Sequence, residues 1–581
     1  MEFFDPQTCG ARLRTVRLPA LLLVIAFALV QIASAQVTGN ISGYARDASG
    51  AAVPGATVTA VMSERQATRT AQTDTQGFYS FIGLPPGHYQ VTFEANGFQK
   101  QVQSGVELTV GQNVRLDGNL SIGTVRNEVE VGTAAPLVDT VSTTLSGLID
   151  DRRVVDLPLN GRNIMGLAAI LPGVTNVSAP QQMRDARGGS EMDVNGGRPN
   201  MNMFTFDGGY FNNPSRNTGI NYPPPDAIQE VRILTHNFSA EFGHNPGSQV
   251  EVLSKAGTNA FHGSAWEFLR NDALNARDFF SPRVPAEKQN QFGAAAGGPI
   301  VKDKIFIFGS YQGLTNHQEA QSVQASVPTE AQRNGDFTGL GETLVNPVNP
   351  LTGAPLTDAN GNPCVAGNRI APGCISPVAK NLLQYVPTSP TGSLVSLAPS
   401  PLNENLGMLR LDWNQSDKHH IFGHYYQNEN SKSTPFAGGN IPGYIGENFN
   451  VGTKQGTIND TYTFSPTVIN QAIFSVLNST SSELESKTID PSQLGINMPQ
   501  YLPNGGVSVN VASGFTLGSG TPTQFLGTSY QISDSLTWIK GRHSFKFGFE
   551  SLFLNFRQLF IGPPNFTFSG VQTGDATADF L

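Results

Sequence analysis

Only one long stretch of this chain is continuously apolar, and it lies close to the N-terminus. It runs Leu18–Val30, follows three arginines, and is followed by Ala33-Ser34-Ala35 before Gln36. A basic segment, a short apolar run and an A-x-A site are the parts of a secretory signal. We therefore predict a signal peptide over 1–35, cleaved between Ala35 and Gln36. A membrane-anchoring helix is the alternative, but the run is shorter than the ~20 apolar residues that span hydrocarbon.

No later segment has spanning length, and this limits how the mature chain can be held in a membrane. Only helices and closed β-barrels satisfy every backbone polar group in lipid. Without an apolar helix, the mature chain would have to cross the membrane with the strands of a closed barrel. Charged residues make up 14% of the chain, against about 25% in soluble domains. Glycine (62 residues) and aromatics (9%) are plentiful, which suits a barrel wall that alternates apolar and small polar side chains. The predicted fold class is mainly β.

Charge and cysteine content exclude several functions. The net charge of -9 argues against nucleic acid, because phosphate binding requires clustered Lys and Arg. Cys9 leaves with the signal, and Cys364 and Cys374 remain as a candidate loop disulfide in an oxidising compartment. Two free thiols are the alternative. A zinc site would need more ligands nearby, and we predict no metal and no cofactor.

The segment 36–122 has the pattern of a small β-sandwich. Turn sequences such as Asp74-Thr-Gln-Gly77 and Leu84-Pro-Pro-Gly87 separate short alternating runs. The alternation predicts one buried face per strand. The residues predicted to face inward are Val58, Tyr79, Phe81, Leu84, Tyr89, Val91 and Phe93.

These residues also resemble a known module. The string Pro54-Gly-Ala-Thr-Val, then Thr73-Asp-Thr-Gln-Gly-Phe-Tyr-Ser-Phe and Leu84-Pro-Pro-Gly-His-Tyr, is similar to a carboxypeptidase regulatory-like domain. That family has a transthyretin-like fold, sometimes classed with carbohydrate-binding-like sandwiches. The resemblance implies a non-catalytic module, and we find no zinc-peptidase ligand set here.

A linker over 123–144 contains one short alternating run, Glu128-Val129-Glu130-Val131. Such a strand can add to the edge of a partner's sheet, where main-chain hydrogen bonds supply affinity. The alternative, which the residues favour, is the last strand of the first domain or the first strand of the next.

The segment 145–257 is a mixed α/β unit rich in turns. A short helix is predicted over Ile164–Leu171, and strands over Ile228–Leu234 and Gln249–Ser254. The motif residues of the segment are Asn160, Gly161, Arg162, Asn163, Gly196, Arg198, Asp207, Gly208, Glu230 and Gly243.

This order of motifs, continuing through Lys255-Ala-Gly-Thr-Asn259 and Phe261-His-Gly-Ser264, resembles the plug domain of TonB-dependent outer-membrane receptors. The preceding module narrows the resemblance to the Oar-like branch. It implies an outer-membrane location with the module in the periplasm, and TonB or a TonB-like energising protein as partner. By position, Glu128–Val131 is the TonB-box-like run, although its second glutamate and Gly132 depart from the usual pattern.

In the segment 258–581, apolar and polar side chains alternate with a period of two residues, as they do in a transmembrane barrel wall. Arg410 and Asp412 oppose Leu409, Leu411 and Trp413, and Lys546, Gly548 and Glu550 oppose Phe545, Phe547 and Phe549. A soluble sandwich is the alternative. All three tryptophans fall in strand-like runs, which suits interfacial girdles. About 9–10 strands are visible against ~22 in the family's barrel. We therefore predict an incomplete antiparallel barrel, and a fragment lacking its C-terminal strands.

Two connections in this segment differ in length. Asn414–Lys418 is a tight turn between strands Leu406–Trp413 and His419–Tyr426, whereas 315–402 is long and Pro-rich and carries the cysteine pair. Barrels of this type place short turns on the periplasmic side and long loops outside. The long loop is the better candidate for ligand contact.

No catalytic constellation is present, and we predict that the protein is not an enzyme. The sequence has no H-E-x-x-H, P-loop or G-x-S-x-G motif. His419-His420 sits beside the turn and is predicted to be a solvated strand end, not a ligand pair. Asp207 and Glu230 have no evident acid or base partner in sequence, so structural roles in turns and barrel contacts are predicted.

Two functions remain. The first is TonB-dependent uptake of a large solute, a saccharide or a peptide, through a plugged barrel. The alternative is a non-transporting Oar-like surface protein for adhesion or envelope integrity, with the first module binding carbohydrate or protein. Outer-membrane lipid surrounds the barrel in both, and no motif identifies the solute.

Overall fold

The computed structural model describes most of the chain after the predicted signal peptide. The described residues are 38–123, 128–132, 144–175, 177, 189–320, 322–436, 438–487, 489–498, 506–518, 523–540, 543–560 and 562–581; of 128–132 the backbone alone is described. The predicted cleavage site between Ala35 and Gln36 lies outside them.

The first module is a sandwich of two sheets, as predicted. One sheet has the order β3-β2-β5-β6-β9, and the other has the order β4-β1-β7 with β8 also paired to β1. All seven residues predicted to face inward are buried in one apolar cluster. The strands are β1 (Gly39–Asp47), β2 (Thr57–Met62), β3 (Thr68–Gln72), β4 (Phe78–Leu84), β5 (Gly87–Glu94), β6 (Lys100–Leu108), β7 (Asn113–Arg115), β8 (Gly118–Leu120) and β9 (Glu128–Gly132).

The TonB-box-like run belongs to this module's sheet. As β9 it pairs in parallel with β6, in a register that sets Glu128 beside Lys100 and Val131 beside Gln103. It is the outermost strand in the order of that sheet.

The plug segment has a five-stranded mixed sheet with the order β10-β17-β18-β13-β14. The strands predicted over Ile228–Leu234 and Gln249–Ser254 are β17 and β18. The elements are β10 (Leu145–Ile149), helix α1 (Asp151–Asp156), β11 (Val174–Thr175), β12 (Asp193–Val194), β13 (Met203–Phe206), β14 (Gly209–Tyr210), β15 (Asn212–Asn213), β16 (Thr218–Gly219), β17 (Ile228–His236), β18 (Gln249–Ser254), and 3-10 helices over Asn160–Arg162, Ile164–Ile170, Pro199–Met201 and Pro225–Ala227.

The helix predicted over Ile164–Leu171 is a 3-10 helix that ends at Ile170. The Asn163 side chain accepts a hydrogen bond from the Met165 N–H at its start, and the Leu171 N–H bonds to the Ala168 carbonyl at its end. Such i→i+3 bonding is common in short connecting helices. Four of its residues are buried in the plug core.

The barrel segment forms one antiparallel nine-stranded sheet with the order β19-β20-β21-β26-β27-β28-β29-β32-β33. Within the part of the chain described, β19 and β33 are the two end strands of that sheet and do not pair with each other. Its strands are β19 (His262–Asn271), β20 (Glu287–Val301), β21 (Ile305–Gln318), β26 (Leu402–Ser416), β27 (His419–Thr434), β28 (Glu447–Ser465), β29 (Val468–Glu485), β32 (Thr523–Lys540) and β33 (His543–Phe560).

The two faces of the barrel wall differ as the alternation predicted. On β26, Arg410 is 7% and Asp412 0% exposed, whereas Leu409, Leu411 and Trp413 are 45%, 46% and 43% exposed. The polar residues face the lumen and the apolar residues face outward. The expectation that all three tryptophans suit an interfacial girdle is wrong for Trp266, which is partly buried against the plug core. The Arg162 guanidinium of the plug stacks on the Trp266 ring, so this side chain of β19 faces the lumen.

The two ends of the sheet also differ. The strands β26 and β27 meet at a tight turn, as predicted, whereas the connection of 319–401 between β21 and β26 is long. This connection and the other long ones fold together over an apolar core, and the Cys364–Cys374 disulfide ties one part of it. Its elements, with those of the other long connections, are β22 (Val323–Ser326), α2 (Glu330–Arg333), β23 (Val365–Ala366), β24 (Arg369–Ile370), α3 (Pro377–Leu383), β25 (Ser393–Ser396), a 3-10 helix (Pro491–Leu494), β30 (Ser508–Val511), β31 (Thr516–Leu517), β34 (Asn565–Phe568) and α4 (Ala576–Phe580). We call this layer the cap.

Among the residues that the structure describes, no helix is both long and apolar enough to cross a membrane.

Candidate functional site

The plug meets the barrel wall at a buried polar cluster. It consists of Asp207 and Ser254 of the plug and of Arg410, Asp412 and His424 of the barrel strands β26 and β27. We call these five residues the lumen cluster. Asp207 is one of the plug motif residues, whereas Ser254, Arg410 and His424 carry no motif of their own.

Asp207 is placed by the tight turn between β13 and β14. Its φ of 49° and the φ of 78° at Gly208 are left-handed values, which Asp and Gly tolerate better than most residues. The turn directs the carboxylate at the barrel wall, where it accepts from Ser254 N–H (2.9 Å) and Ser254 Oγ (2.6 Å). His424 Nδ1 donates to the second oxygen over 2.8 Å. The main-chain carbonyl of Asp207 accepts from Asn459 Nδ2 of β28 over 3.0 Å.

The charge of Asp207 is stabilised despite its complete burial. Burial alone would raise the pKa of the Asp207 carboxyl, because a charge in an apolar medium is costly. The Arg410 charge and the His424 hydrogen bond outweigh burial and hold that pKa below its ordinary value. An ionised carboxylate is thus built into the contact between plug and barrel.

Arg410 joins two carboxylates. Its Nε and Nη2 donate to the two oxygens of Asp412 over 2.9 Å and 3.0 Å, a bidentate pair. Its Nη1 donates to the carbonyl and the hydroxyl of Ser254 over 3.1 Å and 3.0 Å, and lies 3.5 Å from Asp207 Oδ1. The guanidinium also stacks on the Phe422 ring, 4.1 Å from its centroid.

Further polar contacts join the plug to other barrel strands. The backbone of Tyr210 is held on both sides, because its N–H donates to Gln531 Oε1 over 2.7 Å and its carbonyl accepts from Gln455 Nε2 over 3.0 Å. Asn221 Nδ2 donates to Glu404 Oε1 over 2.7 Å. These side chains come from β32, β28 and β26, so the plug is bonded across much of the described wall.

Charged pairs complete this contact. Arg162, a predicted motif residue, pairs with Asp226 inside the plug and stacks on Trp266 and Phe268 of β19. Glu241 pairs with Lys546 of β33. His244, next to the motif residue Gly243, lies 3.0 Å from Glu550 of the same strand.

The regulatory-like module also reaches the lumen cluster. Arg65 Nη1 donates to Asp412 Oδ1 over 3.0 Å, and Arg65 Nε donates to the Gly257 carbonyl over 3.0 Å. The module therefore sits at the end of the barrel where the strands are joined by short turns, opposite the cap. Short turns are on the periplasmic side in such barrels.

The plug binds one turn of the module through hydrogen bonds to the turn's backbone. The Val110 N–H donates to Glu230 Oε1 over 2.7 Å, and the Val110 carbonyl accepts from the Arg232 guanidinium. Gly111 has a left-handed φ of 61°, and a side chain there would collide with Arg232. Val110 itself packs with Leu253 of the plug and Phe422 of the barrel, a small apolar cluster with one member from each domain.

Glu230, a predicted motif residue, is therefore a contact between plug and module. It is buried, and burial raises its pKa to about 8, although the Val110 N–H and the nearby Arg232 oppose this rise. Its carboxyl is largely neutral at neutral pH and still accepts the Val110 N–H. A cavity of about 310 Å3 adjoins this contact, with Glu230, Arg65 and His420 among its lining residues.

The other motif residues are spread over the plug and are not gathered at one point. Gly161, inside the 3-10 helix Asn160–Arg162, and Gly196, in a turn, have left-handed φ values, and Asn163 begins the next 3-10 helix. Asn160 begins the preceding 3-10 helix, Arg198 is exposed before another, and Gly243 lies between β17 and β18. The roles predicted for these residues stay predictions.

The prediction for His420 was wrong. It is buried and its ring lies 3.7 Å from Asp412, because its position on β27 faces the lumen. His419 points the other way and pairs with Asp460 over 2.9 Å. No group of three or more His, Cys, Asp or Glu residues in the described part of the chain could hold a metal ion.

Arg65 and His424 were missed as site residues. The signal for His424 was its position in a predicted strand, two residues from the inward-facing Phe422 and Tyr426. Arg65 gave no signal, because it lies in a turn of the module and meets Asp412 across 347 positions of sequence.

Three family models match consecutive parts of this chain. A carboxypeptidase regulatory-like domain matches 40–121, a TonB-dependent receptor plug domain matches 152–248, and an outer membrane beta barrel domain matches 253–581. The fold is thus that of an outer-membrane β-barrel with a plug. The chain belongs to the outer membrane beta barrel family and carries a TonB-dependent receptor plug domain, and its location is the outer membrane of a Gram-negative-type bacterium. The domain boundaries predicted from sequence stay predictions.

A curated relative and several solved structures are similar to the chain. TonB-dependent transporter Oar of Myxococcus xanthus is 28% identical over 287 residues, which are 46% of this chain and 26% of that protein. The match thus spans about a quarter of the relative's length. The outer membrane transporter YddB of Escherichia coli has a TM-score of 0.45 at 10% identity, over 74% of this chain and 50% of its own. BauA, the ferric preacinetobactin receptor of Acinetobacter baumannii, has a TM-score of 0.36 at 12% identity, over 72% and 58%.

Proposed function

We propose that this protein takes up a large solute, a saccharide or a peptide, by TonB-dependent movement of its plug. The observation that carries the proposal is the polar contact between plug and barrel at the lumen cluster and around Tyr210. When water replaces the partner, a neutral hydrogen bond costs about 0.5–1.5 kcal/mol and a hydrogen bond to a charged group about 1.5–3 kcal/mol. A plug held in this way can be displaced by an external pull and can return to the same partners.

The pull would enter at Glu128–Val131, the TonB-box-like run. This run is the last strand of the module's sheet and precedes the first plug strand in the chain, so a force on it acts on both. Its backbone is extended as an edge strand against β6, and an extended edge segment is what strand addition to another sheet requires, which supports this role. The partner in this proposal is TonB or a TonB-like energising protein.

The solute would first contact the cap, which lies at the end of the barrel opposite the regulatory-like module. The cap has its own apolar core and the Cys364–Cys374 disulfide, so it presents an ordered surface to the solute. Below it, many lumen-facing residues are uncharged and polar, among them Gln291, Asn316 and Asn428. Amide side chains both donate and accept hydrogen bonds, as hydroxyl-rich or peptide-like solutes require.

Uptake of two labelled probes tests the proposal. Cells carrying the full-length receptor would be given fluorescein-labelled dextrin oligosaccharides or fluorescein-labelled tryptic peptides, with and without a protonophore. We expect energy-dependent uptake of one probe, and its loss when Glu128–Val131 is replaced by four serines. The matched control replaces Val138–Val141 by four serines and retains uptake. Uptake that is unchanged in the first variant contradicts energised transport.

The alternative is an Oar-like surface protein that does not transport. The size of the folded cap favours it, because adhesion needs an ordered external surface and no moving plug. In that case neither probe enters, and removal of the gene weakens surface attachment or the envelope barrier to detergents. The module would then bind carbohydrate or protein, which glycan-array and pull-down measurements on the whole receptor would show.

A further inference from the structure

Arg65 carries a positive charge from the regulatory-like module into the barrel. Its side chain is 6% exposed, and Asp412 is the one carboxylate with which it forms an ion pair among the described residues. The guanidinium lies over the Phe306 ring of β21 at 5.0 Å, and its Nε reaches the Gly257 carbonyl. A buried arginine held by three different contacts is a docked group and not a solvated surface charge.

The docked Arg65 affects how Arg410 divides its hydrogen bonds between Asp412 of the barrel and the plug. With Arg65 in place, two guanidiniums face Asp412, and Arg410 can direct its Nη1 at Ser254 and Asp207 of the plug. Nη1 donates to two neutral oxygens of Ser254, over 3.0 and 3.1 Å, and lies 3.5 Å from Asp207 Oδ1, whereas the Asp412 carboxylate is held by a bidentate pair of charged hydrogen bonds. The bond from barrel to plug is thus the weaker side of the Arg410 bridge.

We propose that the regulatory-like module is an intramolecular lock on the plug, and that Arg65 sets the lock. When the module lifts away, Asp412 loses one of its two guanidiniums and attracts Arg410 more strongly. Arg410 then withdraws from Ser254 and Asp207, and a buried carboxylate of the plug loses its arginine. Breaking a buried ion pair on one side is destabilising, so the plug loosens when the module leaves.

A second contact acts in the same direction. Glu230 and Arg232 of the plug strand β17 hold the two backbone groups of Val110, and Val110 packs against Leu253 and Phe422. The module therefore contacts the plug directly, and it contacts the barrel at Asp412, Phe306 and Phe422. Movement of the module therefore changes contacts on both the plug side and the barrel side of the boundary between them. This inference goes beyond solute uptake and does not depend on which solute is carried.

Amide hydrogen exchange on the purified full-length receptor in detergent tests the lock. We expect Arg65→Met, which keeps an unbranched side chain but removes the guanidinium and its charge, to speed exchange in Met203–Phe206 and Gln249–Ser254 about tenfold. Arg65→Lys keeps the charge and should lie between Arg65→Met and the unaltered protein. The matched control is Arg115→Met, an exposed module arginine whose ion-pair partner Asp117 is in the same module.

The double variant R65M/D412N decides whether charge or packing is responsible. Removing both charges frees Arg410 for the plug, so slow exchange in the two plug segments should return. Exchange in R65M equal to that of the unaltered receptor would overturn the proposal. So would a faster exchange that D412N leaves in place, because that outcome assigns the effect to lost packing of the module. Labelled-probe uptake is not used as a readout, so these results stand apart from the test of transport.

Discussion

The inside of the regulatory-like module and the contact between plug and barrel are held together by different physics. The module encloses an apolar core in which the Tyr79 and Phe93 rings pack edge to face with centroids 5.4 Å apart. The contact between plug and barrel instead depends on Asp207, Arg410, His424 and other polar groups. Apolar burial resists opening in proportion to the area exposed, whereas polar pairs can be replaced by water. The difference separates a part that stays folded from a part that can move.

The largest expected effect is a break in the module core. Phe93→Ala removes a ring that is fully buried, and such truncations cost about 3–5 kcal/mol. We expect the module to become sensitive to limited proteolysis at urea concentrations that leave the cap and barrel intact. Thr92→Ala, on the opposite face of the same strand, is the control. Equal resistance of the Phe93 variant and the control would show that the module does not depend on its apolar core.

A smaller effect is expected at the polar contact. Asp207→Asn keeps the shape but removes the charge that meets Arg410 and His424, and hydrogen bonds to charged groups contribute about 1.5–3 kcal/mol. We expect faster hydrogen exchange in β13 and β18 of the receptor, with β1 and β5 of the module unchanged. Changes spread evenly over plug and module would mean that the two regions unfold as one unit and that the comparison fails.

The smallest effect concerns the pH dependence of module docking. Burial raises the pKa of Glu230 from its ordinary value of 4.5 to about 8 in the folded protein, so the contribution of Glu230 to docking is fully present below about pH 4.5 and is lost as the pH rises through about 8. The groups that face it are the Val110 N–H, Arg232, Glu251 and Glu107. Glu230→Gln imitates the neutral carboxyl, so docking should become independent of pH in this range.

The readout is the protection of the segment around Val110 against hydrogen exchange, corrected for the intrinsic pH dependence of the rate. At pH 5 the variant and the unaltered receptor should agree. At pH 8.5 the variant should be the better protected of the two, and the opposite order would contradict a neutral Glu230 at this contact.

Local patterns predicted much of the fold because they depend on near neighbours in sequence. Alternation placed Arg410 and Asp412 on one face and Leu411 on the other, and turn residues separated β26 from β27. The same reasoning fails for His420, because closeness to a turn does not by itself expose a side chain to solvent. A residue next to a turn still faces inward when its register does, and the module covers this end of the lumen.

Local patterns in the amino-acid sequence were enough to predict the β strands, their inward and outward faces, the apolar core of the module and the resemblance to a plugged outer-membrane barrel. The contacts of Arg65 with Asp412 and of Glu230 with Val110 join residues 347 and 120 positions apart, and they became visible with the three-dimensional fold. Periodicity fixes which face a side chain occupies, since that depends on backbone geometry over a few residues. Which domain then meets that face depends on docking between surfaces that are distant in the chain, and no local pattern records it.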